Sequence, residues 1–266
     1  MRHNAERVRE IAPQARIMAA VKADGYGHGA VAVAQALDDL VDAFAVACLD
    51  EARELTRNGC QSVCVLLEGP LCAEEIPAIS RCGDVAVLHA DWQLDALDDV
   101  RLDQAIPVWI KLDTGMNRLG FPPDRAAALF ARVSAMPQGQ FLGWMTHFAN
   151  ADLEDTSFSE QQIRCFERAT AGLPGQRTLA NSAGLMRFEQ ARTDWVRPGI
   201  MLYGASPLEG HGAEQCGLRP AMTVTSKLIS IKEVAAGQAV GYGSEWRCAE
   251  SSRVGVVAVG YGDGYP

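Results

Sequence analysis

Residues 1–204 alternate short apolar runs with longer segments in which apolar residues recur every three or four positions. The short runs have the length of strands, and they are 16–22, 43–48, 62–68, 85–90, 106–112, 141–147, 177–181 and 195–202. The spacing of the longer segments is typical of amphipathic helices, for example over 30–40, 50–59, 123–136 and 159–173. Because near-continuous apolar strands are buried on both faces, this alternation predicts a parallel sheet covered by helices.

The number of repeats selects one architecture among the α/β folds. Eight strand-then-helix repeats over 1–204 predict a closed (β/α)8 TIM barrel rather than an open sheet. The following segment, 205–220, is rich in Gly and Pro and predicts a linker. Residues 221–266 contain alternating runs at 223–234, 238–246 and 252–262 with turn residues between them. This last pattern predicts the beginning of an all-β second domain.

Charge and cysteine usage exclude several classes of function. A net charge of −9 with scattered basic residues argues against nucleic acid or an anionic membrane as a partner. No apolar stretch is long enough to span a bilayer, and the polar start has no apolar export signal. The eight cysteines form no C-x-x-C pair and no zinc-type cluster with histidine, so we expect no metal site. Free thiols favour a reducing cytoplasm as the location.

Polar side chains lie at or near the ends of five of the predicted strands, at the end of a barrel where active sites form. Lys22 ends the first strand, and its amine is a candidate nucleophile, although a surface lysine is an equally good interpretation of that residue alone. A glycine in the eighth strand–helix unit beside a serine from the seventh predicts a phosphate site. A single His or Arg is usually structural, so the prediction depends on the convergence of the whole set. The remaining candidates are Lys111, Arg118, His147, Asn181, Ser182, Arg197, Gly199 and Ile200.

Seven separated motifs carry a resemblance to a known family. They are AVKADGYGHG, KLDTGMNRLGF, MTHFANAD, ANSAG, VRPGIMLYG, VGYGSEW and VGYGDGYP. In this order and spacing the chain resembles the alanine racemase family from about residue 2 to residue 266. The resemblance implies a bacterial, cytoplasmic isomerase that uses pyridoxal 5'-phosphate. Its amino-acid substrate would be alanine, and D-alanine would supply peptidoglycan or be catabolised.

The resemblance also implies a role for each matching residue. Lys22 would carry the cofactor, with Asn181 among the cofactor-binding residues. The phosphate would contact Tyr26, Ser182, Gly199 and Ile200. Arg197 would face the pyridine nitrogen, and His147 would support Arg197.

Further residues would act on the substrate or at the entrance. Arg118 would contact the phenolic oxygen of the cofactor and the substrate carboxylate. Lys22 and Tyr242 would be the two catalytic bases, with Tyr242 reaching the site of the other subunit in a head-to-tail homodimer. Tyr261 would line the active-site entrance. Lys111 would be carbamylated, and the alternative is an ordinary Lys111 paired with Asp113.

Several alternatives stay open at this point. A protein of the same barrel type could bind pyridoxal phosphate with little or no racemase activity, and a racemase could act on another small amino acid such as serine. A basic amino-acid decarboxylase usually has glutamate at the ring nitrogen, so Arg197 disfavours that class. Family members start before RHN and continue past GYGDGYP, so we expect a chain truncated at both ends.

Overall fold

The computed structural model describes residues 1–264, so the last two positions of the final motif, Tyr265 and Pro266, lie outside the described residues. The chain divides into two compact units. One covers Met1–Ala221, and the second begins at Met222.

Eight parallel strands form a closed barrel in the first unit, in which each strand pairs with the next and β8 returns to β1. The strands are β1 (Arg16–Ala20), β2 (Ala43–Val46), β3 (Cys64–Leu66), β4 (Val85–Leu88), β5 (Ile106–Lys111), β6 (Gly139–Met145), β7 (Gln176–Thr178) and β8 (Trp195–Val196). The predicted (β/α)8 architecture is therefore confirmed. Each predicted strand extends past the carboxyl end of the observed one, because the last residues of the apolar run leave the sheet and enter a loop at the carboxyl end of the barrel.

Helices precede the barrel and follow its strands. They are α1 (Arg2–Ile11), α2 (Lys22–Gly27), α3 (Ala30–Leu37), α4 (Leu49–Arg57), α5 (Ile76–Cys82), α6 (Asp91–Asp99), α7 (Ala126–Ala135), α8 (Ser157–Ala169) and α9 (Ser182–Arg187). Short 3-10 turns cover Ala73–Glu75, Pro123–Arg125, Glu189–Ala191 and Ile200–Tyr203. The last of these turns replaces the second half of the predicted strand 195–202. None of the described helices is long and apolar enough to cross a membrane.

The strands separate two apolar layers because successive side chains of a strand point to opposite faces. Ile17 faces outward into the layer between the strands and the helices, whereas its neighbour Met18 faces into the barrel. Trp109 fills the interior and meets the edge of Trp195 at 6.4 Å between ring centroids. The interior is therefore packed, and only its carboxyl end is left for a site.

The segment predicted as a linker, 205–220, belongs to the first unit. Asn4 on α1 donates from Nδ2 to the Arg219 carbonyl at 2.8 Å and accepts from the Arg219 amide at 2.8 Å. Leu218 is 4% exposed and packs in the outer layer. The Gly- and Pro-rich composition therefore marks an irregular segment that is fixed to the barrel.

Described by itself, the second unit consists of two small antiparallel pairs. β9 (Leu228–Val234) pairs with β12 (Ser252–Val257), and β10 (Ala239–Val240) pairs with β11 (Trp246–Arg247). The alternating run over 238–246 forms the two short strands β10 and β11, because Tyr242–Ser244 form a 3-10 turn between them that reverses the chain. Gly241 at φ +78° begins this turn in a conformation that favours glycine.

Candidate active site

A cavity of about 540 Å³ opens among the residues that follow the barrel strands. Its volume lies in the range typical of small-molecule sites, roughly 300–1,000 Å³. Ten of the residues predicted from the sequence line it, namely Lys22, Tyr26, Lys111, Arg118, His147, Asn181, Ser182, Arg197, Gly199 and Ile200. Two predicted residues belong to the second unit, where Tyr242 is 100% exposed and Tyr261 is 91% exposed.

The backbone that leads from Lys22 to Tyr26 has a left-handed helical conformation. Ala23, Asp24, Gly25 and Tyr26 have φ values between 52° and 60° and ψ values between 36° and 53°, so α2 is a left-handed turn. Left-handed helix costs an L-residue with a side chain roughly 1–2 kcal/mol. The Asp24 side chain stabilises the exit of the turn by accepting a hydrogen bond from the Ala30 amide at 2.8 Å. This turn directs both Lys22 and Tyr26 into the cavity.

Ser182 and Gly199 meet at the end where a phosphate site is expected. Ser182, the first residue of α9, accepts hydrogen bonds at Oγ from the amides of Gly199 at 2.8 Å and Met201 at 3.3 Å. A Cβ at Gly199 would lie 2.6 Å from the Tyr26 hydroxyl, so a larger residue there would displace the phenol. Asn181 caps α9 by accepting at Oδ1 from the Gly184 amide at 2.9 Å. These contacts bring together hydroxyl groups, backbone and a helix start, which is a common anion-binding arrangement.

Arg197 directly follows β8 and is 5% exposed. Its guanidinium donates to Thr178 Oγ1 at 2.6 Å and to the carbonyl oxygens of Thr146 and Leu179. Burial lowers the pKa of Arg197 to about 10, which still leaves it charged at neutral pH. The head group is therefore a fixed cation that can only donate.

His147 lies beside this cation. Arg197 Nη2 is 3.3 Å from His147 Nδ1, and because arginine cannot accept, Nδ1 must be the acceptor. Burial, followed by the charges of Arg197 and Lys111, lowers the pKa of His147 well below its ordinary value. The imidazole is therefore neutral at pH 7, with its proton on Nε2.

Lys111 ends β5 and is 7% exposed. Burial, and then the positive charges of Arg197, Arg118 and Lys22, lower its pKa to about 8. Asp113 is engaged elsewhere, since its Oδ1 accepts from the amides of Gly115 at 2.9 Å and Asn117 at 3.0 Å. Both of these bonds use Oδ1, and the negative charge of Asp113 still acts to raise the pKa of Lys111, so the pairing of Lys111 with Asp113 stays a prediction.

The cavity is rich in positive charge. Lys22, Lys111, Arg118 and Arg197 line it, together with two carboxylates, Glu68 and Asp152. The ion pairs found among residues 1–264 are all on the surface, and none includes these four cations. Such a site is suited to an anionic ligand.

Comparison with known proteins identifies the family. The sequence profile described as "Alanine racemase, N-terminal domain" matches residues 1–207, and "Alanine racemase, C-terminal domain" matches residues 221–266. The chain belongs to the alanine racemase family. An alanine racemase of Thioalkalivibrio sulfidiphilus is 48% identical over 260 residues, which cover 97% of this chain and 72% of that protein.

Solved structures of alanine racemases have the same fold. The biosynthetic alanine racemase of Pseudomonas aeruginosa is 43% identical with a TM-score of 0.95, and the match covers 100% of this chain and 74% of that one. The alanine racemase of Acinetobacter baumannii is 35% identical with a TM-score of 0.90, covering 99% and 74%. As a member of the alanine racemase family, the chain is classed as an isomerase.

Sequence reasoning missed several residues in and around this cavity. Tyr203 stacks on Tyr26 at 4.7 Å between ring centroids and donates from its hydroxyl to the Ala20 carbonyl at 2.9 Å. Thr178 fixes Arg197, and Asp152 lines the cavity. Tyr203 lies in the VRPGIMLYG motif and could have been singled out there, whereas Thr178 carries no sequence signal because its role depends on the neighbouring strand.

Proposed function

We propose that this chain interconverts L- and D-alanine with pyridoxal 5'-phosphate bound at Lys22. One observation carries the proposal: a single cavity in an alanine racemase barrel is lined by the Lys22 amine, by Tyr26, Ser182 and Gly199, and by Arg197. These are the groups needed for a phosphorylated aldehyde, namely an amine, an anion cradle and a donor for the ring.

The phosphate end of the cavity fits such a group. Tyr26 presents a phenol beside Gly199, and a Cβ at Gly199 would fill the space at the phenol hydroxyl. The Ser182 hydroxyl lies within hydrogen-bond distance of two backbone amides from the loop after β8. A phosphate would be held by Tyr26, Ser182 and the amides of Gly199 and Ile200, the usual type of phosphate site in this barrel.

The other end fits a pyridine ring. Arg197 is fixed by Thr178 and by the carbonyl of Thr146, so its position is set before any ligand binds. Because its pKa of about 10 keeps it protonated, it would leave the ring nitrogen it faces as an acceptor without a proton. His147 supports Arg197 as a neutral acceptor.

Racemisation moves one proton off Cα and returns one from the opposite face, which requires a group on each face. The cofactor, when bound, withdraws electrons from Cα and so makes that proton removable. We assign the D-alanine face to the Lys22 amine and the L-alanine face to Tyr242 of the partner subunit. This assignment implies a head-to-tail homodimer.

Arg118 and Lys111 complete the substrate end. Arg118 would bind the substrate carboxylate, an interaction that suits a guanidinium. Lys111 has a pKa of about 8, so part of it is a neutral amine at pH 7. That amine can add carbon dioxide, forming an N–C bond and releasing a proton, and the resulting carbamate anion would pair with Arg118. Carbamylation removes one positive charge from a crowded cationic cavity.

Exchange of the Cα proton tests the proposal. The protein loaded with pyridoxal phosphate is incubated with L-alanine in deuterium oxide, and we expect deuterium at Cα together with D-alanine. Borohydride reduction should then fix the cofactor on the peptide that contains Lys22. Arg57→Ala, an exposed cation on α4, is the control that should keep both results.

The possible outcomes separate the remaining alternatives. Cofactor on Lys22 without Cα exchange would mean a pyridoxal-phosphate-binding protein and would contradict a racemase. Faster exchange with L-serine than with L-alanine would contradict alanine as the substrate. Absence of trapped cofactor on Lys22 would contradict the whole assignment.

A further inference from the structure

Glu51 is a half-buried carboxylate that connects two loops at the carboxyl end of the barrel. Its Oε1 accepts a hydrogen bond from the Ala23 amide at 2.8 Å, and its Oε2 accepts one from the Ala47 amide at 2.7 Å. Ala23 directly follows Lys22, whereas Ala47 directly follows β2. One side chain on α4 therefore ties the loop that carries Lys22 to the neighbouring strand.

Ala23, whose amide donates to Glu51, lies where the left-handed backbone begins. Ala23 at φ 53° is the first residue of the left-handed turn, and Tyr26 at φ 55° is the last. Three of the four residues in this turn carry a Cβ, for which the conformation is unfavourable, so the turn needs stabilisation from outside. Glu51 supplies it at the start of the turn, and Asp24 supplies it at the exit, where it binds the Ala30 amide.

Helix capping explains only one of the two hydrogen bonds that Glu51 accepts. Glu51 is in the first turn of α4, where an acidic residue commonly accepts from an amide at the helix start. The bond to Ala47 is of that kind, but the bond to Ala23 crosses to another loop. A carboxylate suits this geometry because both partners are N–H donors and each of its two oxygens accepts from one of them.

We propose that Glu51 is a positioning residue that holds the left-handed turn so that Lys22 and Tyr26 face the same cavity. This inference rests on the proposed function in one respect, namely that the cofactor would contact both Lys22 and Tyr26. Without the Ala23 bond the turn samples other conformations, and the amine and the phenol separate. Binding of a molecule that needs both groups at once should then weaken.

Glu51→Gln tests this with little change of shape. Glutamine has one acceptor oxygen, so its amide nitrogen would face a backbone donor and one of the two bonds is lost. We expect the Kd for pyridoxal phosphate, measured by titrating the cofactor-free protein and following absorbance, to rise about fivefold, the factor given by one net hydrogen bond. Amide hydrogen exchange over residues 22–27 should accelerate in the same cofactor-free protein. Glu54→Gln, an exposed position on the same helix, is the matched control.

A second substitution separates positioning from general stability. Ala23→Gly removes the Cβ that disfavours the left-handed conformation, so Glu51→Gln with Ala23→Gly should regain part of the lost affinity. An affinity within twofold of the wild type for Glu51→Gln, or unchanged exchange over 22–27, would overturn the inference, as would equal affinities of the single and double variants. A wild-type protein that binds no cofactor would instead contradict the proposed function, and the exchange rates would still decide the role of Glu51.

Discussion

The two ends of the barrel use their polar residues in opposite ways. At the amino end, Asp42, Asp84 and Asp194 each precede a strand and accept a hydrogen bond from the neighbouring strand. The donors are the amides of Ile17, Cys64 and Arg177, at 2.8, 3.3 and 2.7 Å. These carboxylates stabilise the ends of strands.

At the carboxyl end, the charged groups converge on open space instead. Lys22, Lys111 and Arg197 line one cavity, and their mutual repulsion adds to burial in lowering the pKa of Lys111 to about 8. Repulsion of this kind is unfavourable for folding unless a ligand offsets it. The comparison therefore predicts that removing a charged group of the cavity alters mainly binding and rate, whereas changes at the amino end alter mainly stability.

The largest expected effect is at Lys22. Lys22→Ala should lower the racemisation rate by at least ~10³-fold, because a general base contributes about 10²–10⁴ and the cofactor attachment is lost as well. The free energy of unfolding, measured by urea denaturation, should change by less than about 1 kcal/mol, because Lys22 is half-buried among other cations. A large loss of stability would contradict the view that the charged groups of the cavity act in binding and catalysis rather than in folding.

Mixing this variant with Tyr242→Phe tests the second base. If Tyr242 acts in the partner's site, a mixed dimer contains one site with both bases intact. Random mixing of equal amounts should then restore about a quarter of the wild-type activity, because half of the dimers are mixed and half of their sites are intact. A mixture no more active than the separate variants would show that Tyr242 does not act across subunits.

Asp84 offers the sharpest test at the amino end. Burial raises its pKa to about 6, and the bond from the Cys64 amide only partly opposes this. The folded state therefore binds the proton more tightly than the unfolded state does, so stability is highest below about pH 4 with respect to this group and is lost as the pH rises to 6. The loss should be roughly 2–3 kcal/mol, at 1.4 kcal/mol per pKa unit.

Urea denaturation between pH 4 and pH 7.5 measures this slope. Asp84→Asn should lack the decrease between pH 4 and 6, whereas Asp103→Asn, at an exposed position, should keep it. Racemase activity per folded molecule should be the same in both. If the wild type and Asp84→Asn had parallel pH profiles, Asp84 would not titrate in this range.

Much of the fold was predictable because each unit of the barrel is local. Eight apolar runs separated by helical spacing define the barrel, and the end of each run marks the residues near the cavity. The left-handed turn was not predictable, since Ala23, Asp24 and Tyr26 each favour right-handed backbone and the turn depends on contacts from distant residues, among them Glu51 and Tyr203. The roles assigned to the cavity residues stay predictions until the experiments above are done.

Gly199 tests the phosphate end with a smaller effect. Gly199→Ala places a Cβ 2.6 Å from the Tyr26 hydroxyl, so the phenol must move. Overpacking of this kind costs about 1–3 kcal/mol, and we expect the Kd for pyridoxal phosphate to rise about tenfold while the fold is kept. Adding Tyr26→Phe removes the clashing oxygen and should recover the stability but not the affinity. Recovery of the affinity would show that the phenol does not bind the phosphate.

The smallest expected effect concerns Tyr203, which contacts both Tyr26 and the last residue of β1. Tyr203→Phe keeps the ring that stacks on Tyr26 but loses the hydrogen bond to the Ala20 carbonyl, so the free energy of unfolding should fall by about 1 kcal/mol. Tyr203→Leu also loses the stacking, and only this variant should weaken cofactor binding severalfold, since Tyr26 is then unsupported. Urea denaturation and cofactor titration measure the two effects separately. Equal cofactor affinity in both variants would mean that Tyr203 stabilises the end of β1 without positioning Tyr26, and would assign it to the stabilising residues despite its place at the carboxyl end.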